Sequence, residues 1–149
     1  MFTVHENTLS AAEYIDLYAS VGWTPPPIEQ AATAILNSDF TVCVTENERP
    51  IGMGRIIGDG AISYFVKDVA VRPEFQGRGA GRLMMDAILA HIRKSVPAGY
   101  HVSLELISSE GMEPFYQAFG FGKKPGDGMG HGMMALVIGE KPVPLLQQN

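Results

Sequence analysis

Residues that alternate apolar and polar, or that recur at intervals of three and four, divide this chain into a short series of elements. Phe2-Thr3-Val4-His5 alternates as a short strand. Ser10 followed by Glu13 opens a helix as a capping box, with Tyr14, Ile15, Leu17, Tyr18 and Val21 along its apolar side. Gly22 ends that helix, and Trp23-Thr24-Pro25-Pro26-Pro27 cannot continue it. A second helix is predicted from Ile28 to Leu36, with Ala31, Ala32, Ile35 and Leu36 facing inward. Phe40 to Thr45 and Ile51 to Ile57 alternate as two strands around the turn Glu46-Asn47-Glu48-Arg49-Pro50, which makes a β-hairpin. After Gly58-Asp59-Gly60 a long strand runs from Ala61 to Val71 and completes an antiparallel meander.

Beyond a glycine-rich turn, Met84, Ile88 and Ile92 recur at fours beside Met85 and Leu89, the signature of an amphipathic helix. His101 to Ile107 reads as a strand, and the order strand, loop, helix, strand demands a parallel pair with a crossover. Gly111 to Phe119 is a short helix that tolerates Pro114 in its first turn and has Gly120 just past its end. Lys123 to Gly132 is a Gly-rich loop, Met133 to Ile138 a final strand, and Lys141 to Asn149 a tail without regular structure. The fold class is therefore α/β (α+β), and the length predicts one domain spanning 1–149.

Composition narrows the function classes. Apolar content of 46% with 18% charged residues is that of a globular, core-forming chain. The single cysteine, Cys43, excludes an internal disulfide and a multi-cysteine metal site; it lies in the strand run Thr41-Val42-Cys43-Val44-Thr45 and suits a reducing compartment. No apolar run is long enough for a membrane helix and no signal peptide opens the chain, so the expectation is a cytoplasmic protein with no membrane partner. A net charge of −5 without a lysine/arginine cluster argues against nucleic acid and is compatible with a small cationic substrate.

The candidate chemistry begins at Val69-Ala70-Val71-Arg72-Pro73-Glu74-Phe75-Gln76-Gly77-Arg78-Gly79-Ala80-Gly81-Arg82, a strand that passes through a glycine-rich turn into a helix. Bare backbone N–H groups in such a turn converge on an anion, and the helix N-terminus adds partial positive charge. A nucleotide-hydrolase loop would end Gly-Lys-Ser/Thr, and a dinucleotide fingerprint needs glycine where Arg82 stands; neither fits.

The segment Gln76-Gly77-Arg78-Gly79-Ala80-Gly81 instead resembles the Gln/Arg-x-x-Gly-x-Gly/Ala signature of the GNAT superfamily of N-acetyltransferases. Phe115-Tyr116-Gln117-Ala118-Phe119-Gly120-Phe121 resembles the same superfamily's Phe-Tyr-x-x-x-Gly-Phe. The runs Leu17-Tyr18-x-x-Val21-Gly22-Trp23, Gly52-x-Gly54-Arg55-x-x-Gly58-Asp59-Gly60 and Asp68-x-x-Val71-x-Pro73-x-x-Gln76 are similar to the small bacterial and plastid group related to plant serotonin N-acetyltransferase. The resemblance implies a mixed, mostly antiparallel twisted sheet of six to seven strands with about four helices, and a parallel pair splayed at a cofactor cleft. It also implies acetyl-coenzyme A as co-substrate, no metal, and a homodimer as a frequent assembly.

Residue by residue, the resemblance implies that the main chain of Gln76, Gly77, Arg78, Gly79, Ala80, Gly81 and Arg82 holds the pyrophosphate, with Arg78 and Arg82 beside it; Arg72 reads as a solvated arginine. It implies that the strand Val69, Ala70, Val71 pairs with the pantetheine and offers a backbone donor to the carbonyl oxygen, and that Tyr116 protonates the departing thiolate. Ser108 stands where the family often has Asn, and takes over that cofactor contact. For the base, Asp68 and Glu105 each draw a proton through a water or serve as strand-edge charges. His131 is a loop histidine available as base or substrate contact, and Trp23 either stacks on the acceptor or packs structurally. The expected reaction is acetyl transfer to the primary amine of a small molecule; acetylation of a protein lysine or N-terminus, or acyl-coenzyme A sensing without catalysis, are the rival readings.

Overall fold

The computed structural model describes residues 1–126, 128–136 and 138–139. The predicted tail over residues 141–149 lies outside the described residues. One sheet carries five strands in sequential order: β1 (Phe2–Glu6), β2 (Phe40–Glu46), β3 (Arg49–Gly58), β4 (Ser63–Val71) and β5 (Ser103–Glu105). The first four are antiparallel neighbours, and β4 and β5 run parallel. Among the described residues there are four α-helices, α1 (Ala11–Ser20), α2 (Ile28–Leu36), α3 (Ala80–Ser95) and α4 (Glu113–Gln117), and a 3-10 turn over Pro73–Phe75.

Alternation along β2 explains the layering. Phe40, Val42 and Val44 point to the side where Met84, Met85, Ile88 and Ile92 of α3 form the larger core. Cys43 points the other way, into a second cluster with Tyr14 and Leu17 of α1 and Ala31 of α2. Both faces of the strand are buried over its first five residues, Thr41 included.

Local signals set the element ends. Ser10 and Glu13 make the predicted capping box, with Glu13 N–H donating to Ser10 Oγ at 3.2 Å and Ser10 N–H to Glu13 Oε2 at 2.8 Å. Asn47 and Glu48, at φ 50° and 64°, form the left-handed two-residue turn that suits the twist of the β2–β3 hairpin. The predicted strand from residue 61 starts later, at Ser63, because the Asp59 carboxylate accepts the amides of Ala61, Ile62 and Ser63 and holds them in a turn. On α2 the inward set is smaller than predicted: Ala31 is buried, whereas Ala32 and Leu36 face solvent.

Two differences concern the far edge of the sheet. Among the described residues five strands form rather than six to seven, and the predicted strand over residues 133–138 is absent, with Met133, Met134, Leu136 and Ile138 exposed. A strand there would need an edge in register, and β5 keeps only three residues of the seven predicted. The reason for that shortening lies in β4. Its parallel pairing covers only Ser63–Phe65 against Ser103–Glu105, after which the two chains part.

On its other side β4 stays bonded to β3, but with an irregularity. Met53 pairs with Ala70 and Arg55 with Lys67, so Gly54 alone faces both Asp68 and Val69. This is a β-bulge, and its first residue, Asp68, is left-handed at φ 56°. Among the described residues no helix is long and apolar enough to cross a membrane.

Close approach at the β3–β4 turn gives a stability test. A Cβ at Gly58 would stand 2.4 Å from the Tyr64 ring and 2.8 Å from the Ser63 carbonyl, whereas one at Gly122 would meet nothing within 4 Å. Gly58→Ala is expected to lower unfolding free energy by about 1–3 kcal/mol in urea titration, and Gly122→Ala by no more than about 0.5 kcal/mol.

Candidate active site

The segment after β4 leaves a run of backbone donors without acceptors. Arg72 N–H donates to Ile51 O, Phe75 N–H to Arg72 O, and Gln76 N–H to Pro73 O, while Gln76 Nε2 donates to Val71 O at 2.9 Å. From Gly77 to Arg82, six successive amides find no acceptor among the described residues; Leu83 N–H, bonded to Gly79 O at 3.2 Å, is the first to turn back. Gly77 and Gly79 hold φ of 72° and 91°, which bends this amide run at the N-terminus of α3. The Gln76 amide is thus spent internally, and the cradle proper is Gly77–Arg82. A Cβ at Gly81 would sit 3.1 Å from Phe115 Cζ, so glycine there lets α4 pack directly on the first turn of α3.

The arginines around the cradle divide. Arg72 is not solvated as predicted: it is 9% exposed, donates to Pro50 O at 2.8 Å and pairs with Asp16. Arg78 reaches back to Glu46 at 2.7 and 3.3 Å and lies over the Phe2 and Phe75 rings, clamping the loop to the β2–β3 hairpin. Arg82 is mostly exposed, 3.9 Å from Asp86.

Where β4 and β5 part, a cavity of about 510 Å³ opens. Phe65 to Val69 of β4 form one wall, Leu106 to Ser109 beyond β5 another, and Tyr18, Trp23 and Thr24 the roof. Tyr116 of α4 lines this cavity and also a neighbouring one of about 520 Å³ that reaches His131. The structure therefore gathers Trp23, Asp68, Val69, Ser108 and Tyr116, with His131 one cavity away. Glu105 it does not bring in: the side chain is exposed and lines neither cavity. Ser108 Oγ donates to Ser109 O at 2.7 Å.

Burial shapes the hydroxyls and the thiol. Tyr116 packs edge-on against Phe115 and Phe121, and burial raises its pKa, so the phenol keeps its proton at neutral pH. Tyr14 is raised too, by burial first and then by its hydrogen bond to Asp68 Oδ2 at 2.8 Å. The same oxygen accepts from Arg55 Nε at 2.7 Å. Burial, with a smaller contribution from the Glu13 charge, pushes the Cys43 thiol up to about 11, which makes it inert as a nucleophile.

Sequence reasoning missed Tyr14 and Arg55. Tyr14 reads as one more apolar position on α1. The usable signal was Arg55, a charge between the buried Gly54 and Ile56 of an inner strand, which needs a counter-ion from a facing strand. Among the described residues, no group of three or more His, Cys, Asp or Glu side chains is arranged to hold a metal ion.

Comparison with known proteins shows what the chain is similar to. The acetyltransferase (GNAT) domain family matches residues 37–123. An N-acetyltransferase of Prochlorococcus marinus, ycf52-like and described as uncharacterized, is 32% identical over 79% of this chain, which spans 66% of that relative. Serotonin N-acetyltransferase 2, chloroplastic, of Oryza sativa is 30% identical over 74% of the chain, which spans 55% of it. Among solved structures, a probable acetyltransferase of Staphylococcus aureus superposes with a TM-score of 0.77 at 31% identity, covering 91% of this chain and all of that one.

The buried, protonated Cys43 gives a direct check of the inner face. At pH 7–8 the native protein is expected to show no fast-reacting thiol towards an aromatic disulfide reagent, and full reaction of its one cysteine only in denaturant. Rapid labelling of the native protein would contradict the packing of α1 on β2.

Proposed function

The chain belongs to the GNAT family of N-acetyltransferases, and from that membership we propose that it transfers an acetyl group from acetyl-coenzyme A to the primary amine of a small molecule. The acceptor is an arylalkylamine or polyamine-like compound, attacked directly in a ternary complex. The observation that carries this reading is the run of six unengaged amides at the start of α3, which suits a diphosphate. A reducing cytoplasm is the compartment we assign to it, on the single unpaired cysteine.

Bound acetyl-coenzyme A supplies the activated thioester carbonyl. In this reading Gly77–Arg82 grip its diphosphate, and the stretch of β4 left free by β5 offers hydrogen bonds to the extended pantetheine arm. A main-chain N–H within Val69, Ala70 and Val71 donates to the carbonyl oxygen as negative charge builds on it. Asp68, at the bulge and in the cavity wall, takes the proton released by the amine, directly or through a water.

Proton movement sets the main demands. An alkylammonium with a pKa near 10.4 is about one part in 2,500 neutral at pH 7, which costs about 4–5 kcal/mol. The leaving thiol, near 8.5, is a stronger acid than a phenol near 10, so full transfer from even an ordinary tyrosine runs uphill by about 2 kcal/mol. Burial of Tyr116 makes it steeper still. Tyr116 therefore serves as a hydrogen-bond donor to the leaving sulfur and completes transfer late.

These roles fix the tests. A thiol-release assay with acetyl-coenzyme A against arylalkylamines, polyamines and lysine peptides is expected to give turnover above the water background with a small amine. Turnover only with peptides would move the acceptor to protein, and none at all would leave a sensor. Tyr116→Phe is expected to lower kcat by about 10–100-fold with little change in the KM for the amine. Because its raised pKa keeps Tyr116 protonated, activity is expected to rise with pH from 7 as the amine deprotonates. No descending limb is expected below about pH 10. A fall between pH 8 and 9 in a protein that stays folded would contradict the tyrosine's role.

A further inference from the structure

One oxygen of the Asp68 carboxylate is held by two donors and the other by none among the described residues. Tyr14 from α1 and Arg55 from β3 both donate to one oxygen, Oδ2, at 2.8 and 2.7 Å. Arg55 is itself steadied by Nη1, which donates to Ser38 Oγ at 3.3 Å. The other oxygen, Oδ1, accepts no hydrogen bond among the described residues. It is not sealed away either, since no buried side-chain oxygen among them lacks a partner. The Asp68 side chain is only 11% exposed, so that opening is narrow, and Asp68 is one of the residues lining the cavity.

The backbone contributes to the same aim. At φ 56° on the bulge of β4, Asp68 adopts the left-handed conformation that Asp and Asn tolerate best, and a bulge re-aims the side chain it carries. The same cavity is lined by Tyr18 and Trp23, ring centroids 4.9 Å apart and edge to face, and by Phe65. Aromatic faces beside a carboxylate suit an organic cation. Among the described residues, the other charged side chain in the cavity wall is Lys67, whose ammonium lies 5.7 Å from the Phe65 ring centroid.

We propose that Asp68 Oδ1 is the anchor for the acceptor's ammonium group, and that Tyr14 and Arg55 are positioning residues that hold Oδ2 so that Oδ1 faces the cavity. This rests on the acetyltransferase reading above. It adds that the site selects its acceptor as a cation, before any proton is lost, and that an uncharged analogue of the same shape is rejected. Tyr14 stays a neutral donor in this arrangement, because burial and the neighbouring carboxylate both oppose its ionisation.

The test compares binding of 2-phenylethylamine and its uncharged analogue 2-phenylethanol to the coenzyme A-loaded protein by calorimetry, with thiol release followed in parallel. Wild-type protein is expected to prefer the amine by about tenfold or more. Tyr14→Phe keeps the ring in the core and removes only the hydroxyl. It is expected to reduce that preference by about 3–10-fold while coenzyme A affinity stays within about twofold. Asp68→Asn is expected to abolish the preference, and Arg55→Lys, which keeps a cation beside Oδ2, to retain more of it than Arg55→Met. A preference left intact by Tyr14→Phe and Asp68→Asn while turnover is seen would overturn the anchor and leave the acetyltransferase reading standing. Preferential amine binding without thiol release would do the reverse. No preference in the wild-type protein would overturn the anchor outright.

Discussion

The site depends on how the hydrogen bonds of one strand are shared. β4 is bonded to β3 along most of its length, but to β5 for three residues only. Every unpaired N–H and C=O beyond Phe65 must find water or a ligand, because a buried backbone group left alone is costly. Opening the sheet at that point makes room for a cavity in what would otherwise be closed core. The same strand then delivers the chain to the start of α3, so the gap and the run of unengaged amides are consecutive features of one segment.

What allows β4 to be left half-paired is the packing on either side of it. Met84, Met85 and Ile88 of α3 are fully buried against one face of the sheet, and Leu17 of α1 against the other. Burial of large apolar side chains contributes roughly 1.5–3 kcal/mol each, enough to offset several unsatisfied strand contacts. The bulge adds a second local departure from regular pairing, steadied by Tyr14 and Arg55 on the Asp68 carboxylate. A further register shift lies between Val44 and Thr45, where β2 pairs with β3, away from the cavity.

Much of this was legible in the residues because it is local. The capping box of α1, the limits of α2 and the glycine turn before α3 follow from short-range chemistry, and all three form as predicted. Trp23, Asp68, Ser108 and Tyr116 were singled out through the family resemblance rather than by any local pattern, and the four line one cavity. Features set by tertiary contact were not legible. Arg72 is buried because Asp16 and the Pro50 carbonyl meet it, and those partners lie far off in sequence. Glu105 and Asp68 looked equivalent as strand carboxylates, yet of the two only Asp68, at the bulge, lines the cavity. The apolar run over residues 133–138 has strand composition, and composition does not supply the neighbouring edge that a strand needs.

The central claim is that the amides of Gly77–Arg82 are free in the protein alone and engaged by a diphosphate. Residue-resolved amide hydrogen exchange, with and without saturating coenzyme A, measures this directly. The account predicts fast exchange at these six positions in the free protein and slowing by about tenfold or more on binding. Six amides already protected without ligand, or still fast while protection appears elsewhere, would contradict it.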